Sequence, residues 1–195
     1  MSHSYGTSTY SAEAGLVPAP LESPDQLRSL RTAAFQEQEQ SPAGLIFVSG
    51  ATRSGWAIYV VKALLEAVDL PSLGFLGDRG QHRFETEHGS TDVTILEPSS
   101  LSSVAADLKS LLERVRAEPM LAMDADSDGS MFGIEEVTEA LARDYVASRP
   151  AYDYGNVKGD DGQSADYLFT WLRSVLRVID VAQSEGRAVV HELKV

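Results

Sequence analysis

Apolar positions along the chain fall into two kinds of pattern, stretches spaced by three and four residues and short unbroken blocks. The first spacing gathers side chains on one face of an α-helix, and a short apolar block bounded by turn-formers reads as a buried strand. Leu27, Leu30, Ala34 and Phe35 predict a helix that opens at Ser23-Pro24, where a capping hydroxyl precedes a residue whose φ is already helical. Trp56 to Val68 is helix-like throughout. Leu101, Val104, Leu108, Leu111, Leu112 and Val115 predict a helix from Ser100 or Ser102 to Arg116. A further helix is expected from about Ile134 to Val146, and Leu168, Leu172, Val175 and Ile179 place the last long one at Ala165 to Val181.

The strand candidates are Leu45 to Val48, Ser72 to Leu76, Asp92 to Glu97, Met120 to Met123 and Arg187 to Leu193. Gly77 to Gly89 and Gly155 to Gly162 read as polar loops between them. Strands that alternate with helices, and that are continuous apolar blocks, predict an α/β fold: a mainly parallel sheet flanked by helices on both faces. Residues 1–20 are rich in Ser, Tyr, Gly, Ala and Pro without periodicity, which predicts a disordered tail before a single domain over 21–195.

Composition narrows the partners. The chain has 195 residues, 43% of them apolar, enough for one buried core. A net charge of −13 opposes binding to nucleic acid or anionic lipid, which rests on Lys and Arg neutralising phosphates, and favours a basic protein partner or a cation. Cysteine is absent, which excludes thiolate and disulfide chemistry and suits a reducing compartment. No stretch approaches the roughly 18 apolar residues of a membrane span, and no basic-then-apolar leader opens the sequence. A cytoplasmic protein without membrane insertion is the expectation.

Two segments carry candidate chemistry. Gly44-Leu-Ile-Phe-Val-Ser-Gly-Ala-Thr-Arg-Ser-Gly-Trp-Ala57 has the frame of a phosphate loop, with Gly50 and Gly55 separated by four residues between a strand block and a helix. A working loop follows its second glycine with Lys, whose ammonium offsets β/γ-phosphate charge, and with Ser or Thr, whose hydroxyl ligates Mg²⁺. Trp56 and Ala57 stand there instead, so the cradle is read as vestigial and ATP turnover is not expected.

Taken with Leu101 to Ala147, with Leu172-Arg-Ser-Val175 and with Gly186-Arg-Ala-Val-Val-His-Glu-Leu193, this loop resembles the nucleotide-binding core of the type IV pilus retraction and type II secretion ATPases, PilT-like proteins of RecA-type fold. The resemblance runs from about Leu21 to Val195 and implies a RecA-like sheet. It places the family's catalytic Glu at Gly77 beside Asp78, its Walker B motif at Asp124-Ala-Asp-Ser-Asp128 with Ala125 and Ser127 for Glu and Arg, and its following His at Arg143. The implied function is a catalytically inactive pseudo-ATPase that binds or regulates a pilus or secretion machine. Its implied partners are motor ATPase subunits, the cytoplasmic platform or a regulator, with self-association left open.

The second segment, Asp124-Ala-Asp-Ser-Asp-Gly-Ser-Met-Phe-Gly-Ile-Glu135, meets the pattern of a twelve-residue calcium loop. Asp124, Asp126 and Asp128 bring oxygens to one centre, Gly129 permits the sharp bend, Ser130 offers its backbone carbonyl and Glu135 can close the sphere bidentately. Ca²⁺ is therefore the candidate cofactor. Set against this reading, Met120 to Met123 is expected to enter the loop as a strand, and Asp126 or Asp128 could instead cap the next helix. A calcium-binding module is the alternative function, and a structural component of an envelope assembly the third.

Lesser candidates are the cluster His82, Arg83, Glu85, Glu87 and His88, read as a solvated rim more readily than a zinc site, and Ser54, which has no triad pattern around it. Tyr167, Phe169 and Trp171 exceed one helical face, so part of that group is expected to be exposed to a partner.

Overall fold

The computed structural model describes residues 6–40, 47–50, 56–77, 80–86, 89–125, 133–143 and 164–194. Its strands are β1 (Gly6–Ala12), β2 (Phe47–Gly50), β3 (His82–Thr86), β4 (Gly89–Leu96) and β5 (Ala188–Lys194). Its helices are α1 (Pro24–Gln40), α2 (Trp56–Val68), α3 (Leu101–Ala117), α4 (Met120–Ala125), α5 (Ile134–Ala142) and α6 (Ala165–Glu185), with a 3₁₀ helix at Pro71–Leu76.

The strands form one sheet in the order β2-β1-β5-β4-β3, and every neighbouring pair is antiparallel. The RecA-like, mainly parallel α/β sheet is therefore corrected to an antiparallel sheet with helices, an α+β arrangement. The physical reason lies in what the blocks reported. A continuous apolar block says that a strand is covered on both faces, and antiparallel strands between helical layers meet that condition as well as parallel ones do. Covering is unequal here: one face lies beneath α6 and the core it shares with α2, α3, α4 and α5, and the other beneath α1 and a smaller cluster.

Four further expectations change. Gly6–Ala12, within the segment read as a disordered tail, is an interior strand paired on one side with β2 and on the other with β5. Its Thr7, Thr9 and Ser11 occupy one buried face, and Tyr10 lies fully buried on the other. Ser72 to Leu76 is part of a 3₁₀ helix rather than a strand, and its Leu73, Phe75 and Leu76 are buried. Met120 to Met123 is helical: Glu118, the residue before Pro119, leaves the helical region and ends α3, and the chain turns directly into α4. The loop expected over Gly77 to Gly89 contains β3, which forms a hairpin with β4. At its start Gly80 lies so close to the Val93 backbone that a Cβ would collide with it.

The long helices follow the apolar spacing. Leu101, Val104, Leu108, Leu111 and Val115 form the buried face of α3. Helix α6 opens with Ser164, whose hydroxyl accepts the Tyr167 N–H at 3.1 Å, and it ends at Gly186 with φ 67°. Gly186 N–H reaches the Gln183 carbonyl and Arg187 N–H the Ala182 carbonyl, the paired bonds of a Schellman ending that favours glycine at the left-handed position. Tyr167, Phe169 and Trp171 are each about 1% exposed, so the expected aromatic partner surface is instead core, because α6 is enclosed by the sheet, α3 and α5.

Candidate metal centre

In the chain, the acidic segment runs from the end of one short helix to the start of another. Counting Asp124 as its first position, α4 runs through position 2 at Ala125, and α5 starts at position 11 with Ile134. The twelve-residue pattern is thus entered by a helix and left by a helix, the context in which such loops hold Ca²⁺. Asp124 and Glu135, the first and last residues of the pattern, are both exposed at these helix ends. Asp126, Asp128 and Ser130 lie outside the described residues, and among the described residues no group of three carboxylate or imidazole side chains is assembled. With two of the proposed ligands described, the chemistry of the donor set rests on the spacing: hard carboxylate oxygens at alternating positions, suited to Ca²⁺ rather than to a soft metal.

The capping alternative is also addressed by the helix boundary. The N-cap of α5 is Gly133 in an extended conformation with no side-chain cap, so neither Asp126 nor Asp128 occupies the capping position. Carboxylates in the first turn are Glu135 and Glu136, on the favourable end of the helix dipole. Glu136 Oε1 accepts the Ala165 N–H at 3.3 Å and ties α5 to the start of α6. At the other end of α5, Arg173 donates to the carbonyls of Ala140, Leu141 and Arg143 at 3.1, 2.7 and 2.9 Å, and Arg116 donates to Leu141 O at 2.8 Å. Arg143, where the motor family has its His, pairs with Asp166 at 3.2 Å. The leaving helix is therefore fixed at both ends, and α4, which ends just after Asp124, packs against α2, α3 and α5.

The phosphate-loop frame has a different setting from the expected one. β2 ends at Gly50, which pairs with Thr7, and α2 begins at Trp56 as expected, but β2 is an edge strand antiparallel to its neighbour β1. Gly55 lies outside the described residues, as do Asp78 and Ser127. Of the polar rim, His88 and Glu87 are also outside them, and Arg83 pairs with Glu85 at 2.7 Å and with Asp92 at 3.4 Å.

A buried polar network went unread in the sequence. On the face below α1, Glu192 is fully buried in the central strand; its carboxylate accepts Tyr10 Oη at 2.9 Å and Arg31 Nη1 at 2.7 Å. Burial pushes this carboxyl above its ordinary value, and Arg31, Tyr10 and Lys194 pull it back in part. Burial, then the neighbouring Glu192, raises the Tyr10 hydroxyl, and burial lowers the Lys194 ammonium. On the opposite face, His191 Nδ1 bonds Thr9 Oγ1 at 2.8 Å, and its ring meets Phe75 edge-on at 5.2 Å. Burial pushes the His191 imidazole down to about 3, so it is neutral across the ordinary pH range. The trace of this network in the sequence is slight: His191 and Glu192 interrupt the apolar run from Ala188 to Leu193, and Thr9 and Tyr10 lie in a segment with no apolar block.

Comparison with family models, with curated proteins and with solved structures finds no match for this chain. What the described residues define is a class: an acidic α+β protein with an antiparallel five-stranded sheet, whose sequence carries an Asp-rich segment between α4 and α5. Among the described residues no helix is long and apolar enough to cross a membrane.

Proposed function

We propose that the protein is a calcium-binding module whose metal loop spans Asp124 to Glu135. The observation that carries this reading is the helix on each side of the loop: α4 stops at position 2 and α5 resumes at position 11, with the cap position falling on Gly133 rather than on an aspartate. Asp124, Asp126, Asp128 and Glu135 supply carboxylate oxygens, and Ser130 supplies its carbonyl. The role is regulatory or structural, since the loop's groups are ligands rather than a nucleophile and base. A motor-derived reading depended on a parallel RecA-like sheet, and it is not carried further because the sheet is antiparallel.

Binding to the folded state alone stabilises it by RT ln(1 + [L]/Kd), about 2.7 kcal/mol at a hundredfold excess over Kd. For a chain of this size that corresponds to a rise in Tm of roughly 5–10 °C. Thermal unfolding in Ca²⁺ against chelator, with Mg²⁺ as control, should show that rise in the parent and lose it in Asp124→Ala. An equal Tm with Ca²⁺ and with chelator would remove this function.

A further inference from the structure

Helix α1 is attached to the molecule differently from its other long helices. Eleven side chains of α6 are buried, whereas α1 buries Leu27, Ala34 and Gln38. Leu30 packs beside these and the Phe35 ring meets Phe47 edge-on at 5.6 Å, and polar contacts supply the rest of its hold on the sheet. Arg31 Nη1 meets the buried Glu192 carboxylate at 2.7 Å, Glu37 takes a two-point grip from Arg187 at 2.5 and 2.7 Å, and Gln38 Oε1 accepts the Phe47 N–H at 3.1 Å. Arg187 holds the Glu37 carboxyl below its ordinary value, chiefly through that hydrogen bond.

What these contacts cover is apolar. Tyr10, Phe47, Val93 and Val190 form the floor of the second sheet face, with Leu21, Leu27 and Ala34 above them. Among the described residues, the larger cluster on the opposite face includes none of the α1 side chains. The connection also permits independent movement. α1 joins β1 through residues 13–23 and precedes β2, and β1 is held by its own ladder to β5 along Gly6 to Ala12.

We propose that α1 is a separately releasable strap, a helix seated by ion pairs that opens from the sheet as a unit and uncovers the apolar face of Tyr10, Phe47, Val93 and Val190 while α3, α6 and the sheet stay folded. Polar cross-links hold the strap in register, and its small apolar footprint keeps opening less costly than global unfolding. This device stands independently of the proposed calcium segment, which follows α4 in the chain.

Hydrogen exchange followed by mass spectrometry on the whole protein tests it. In the parent, amides of 24–40 should exchange at least about tenfold faster than those of α6, in a cooperative block. Glu37→Gln removes one anchor, and Arg187 keeps Glu185 at 3.4 Å and the Ser11 carbonyl at 3.5 Å. That variant should speed α1 exchange by a further factor of about ten and leave α6 unchanged. Arg28→Met, which removes an exposed pair with Asp25 within α1, is the control and should shift exchange little. If α1 and α6 exchange at the same rate in the parent, or slow and quicken together in Glu37→Gln, the strap is overturned.

Discussion

His191 is neutral in the folded protein because full burial removes the water that would solvate an imidazolium, and the side chain opposite, Thr9, offers a single hydroxyl. Its folded value near 3 lies below the ordinary 6.5, so in that window the unfolded chain binds a proton that the native one refuses. Stability therefore rises with pH between these values and is lost as pH falls below about 6.5, by up to ~1.4 kcal/mol per pH unit, or roughly 2 kcal/mol by pH 5. Urea unfolding at pH 7, 6 and 5 should show that slope in the parent and a flatter one in His191→Leu. Parallel slopes would mean that another group drives the acid loss. Glu192 works in the opposite sense. Its folded value is raised, so its ionisation opposes folding above the ordinary carboxyl range, and that cost is relieved as pH falls through its folded value. Removing its partner leaves an uncompensated buried charge: Arg31→Met should cost about 3–5 kcal/mol in equilibrium unfolding, far more than Arg28→Met on the solvent side of α1.

At the scale of elements, periodicity carried the helices and composition misled on the strands. α2, α3 and α6 were legible because three-and-four spacing over many residues has no strand equivalent. β1 was not, since Gly-Thr-Ser-Thr-Tyr-Ser-Ala contains no apolar block; the strand is fixed by pairing with β2 and β5 on both sides, which no local pattern reports. Met120 to Met123 and Ser72 to Leu76 were too short to separate a buried strand from a turn of helix, and Pro119 and Pro71 decided both in favour of helical starts. The helix ending at Gly186 was written in the sequence but its left-handed φ was not drawn from it. Gly186→Ala places a Cβ in that conformation and should destabilise the protein by about 1–2 kcal/mol in urea unfolding, with no change in the slope of the transition.

At the scale of the whole molecule, the likeness to a motor core came from local strings, and strings do not fix strand direction. Gly186 to Leu193 forms a turn and a strand as expected, yet β5 lies between two antiparallel neighbours. The candidate metal loop rests on ligand spacing, a one-dimensional property that does not depend on strand direction; what the sequence misjudged was the element before it, a helix where a strand is expected. Charge along the chain favours a cation ligand: residues 118–166 hold twelve of the 29 acidic side chains and three of the 16 basic ones. Affinity for Ca²⁺ should accordingly fall several-fold between low salt and about 0.2 M KCl, as screening shortens the reach of those charges. The most direct measurement is calorimetric titration of the protein with Ca²⁺, beside Asp124→Ala and Glu135→Gln. One site per chain in the parent, weakened at least about tenfold in both variants, is the predicted result. Absence of heat in the parent, or binding of equal strength in all three proteins, would contradict it.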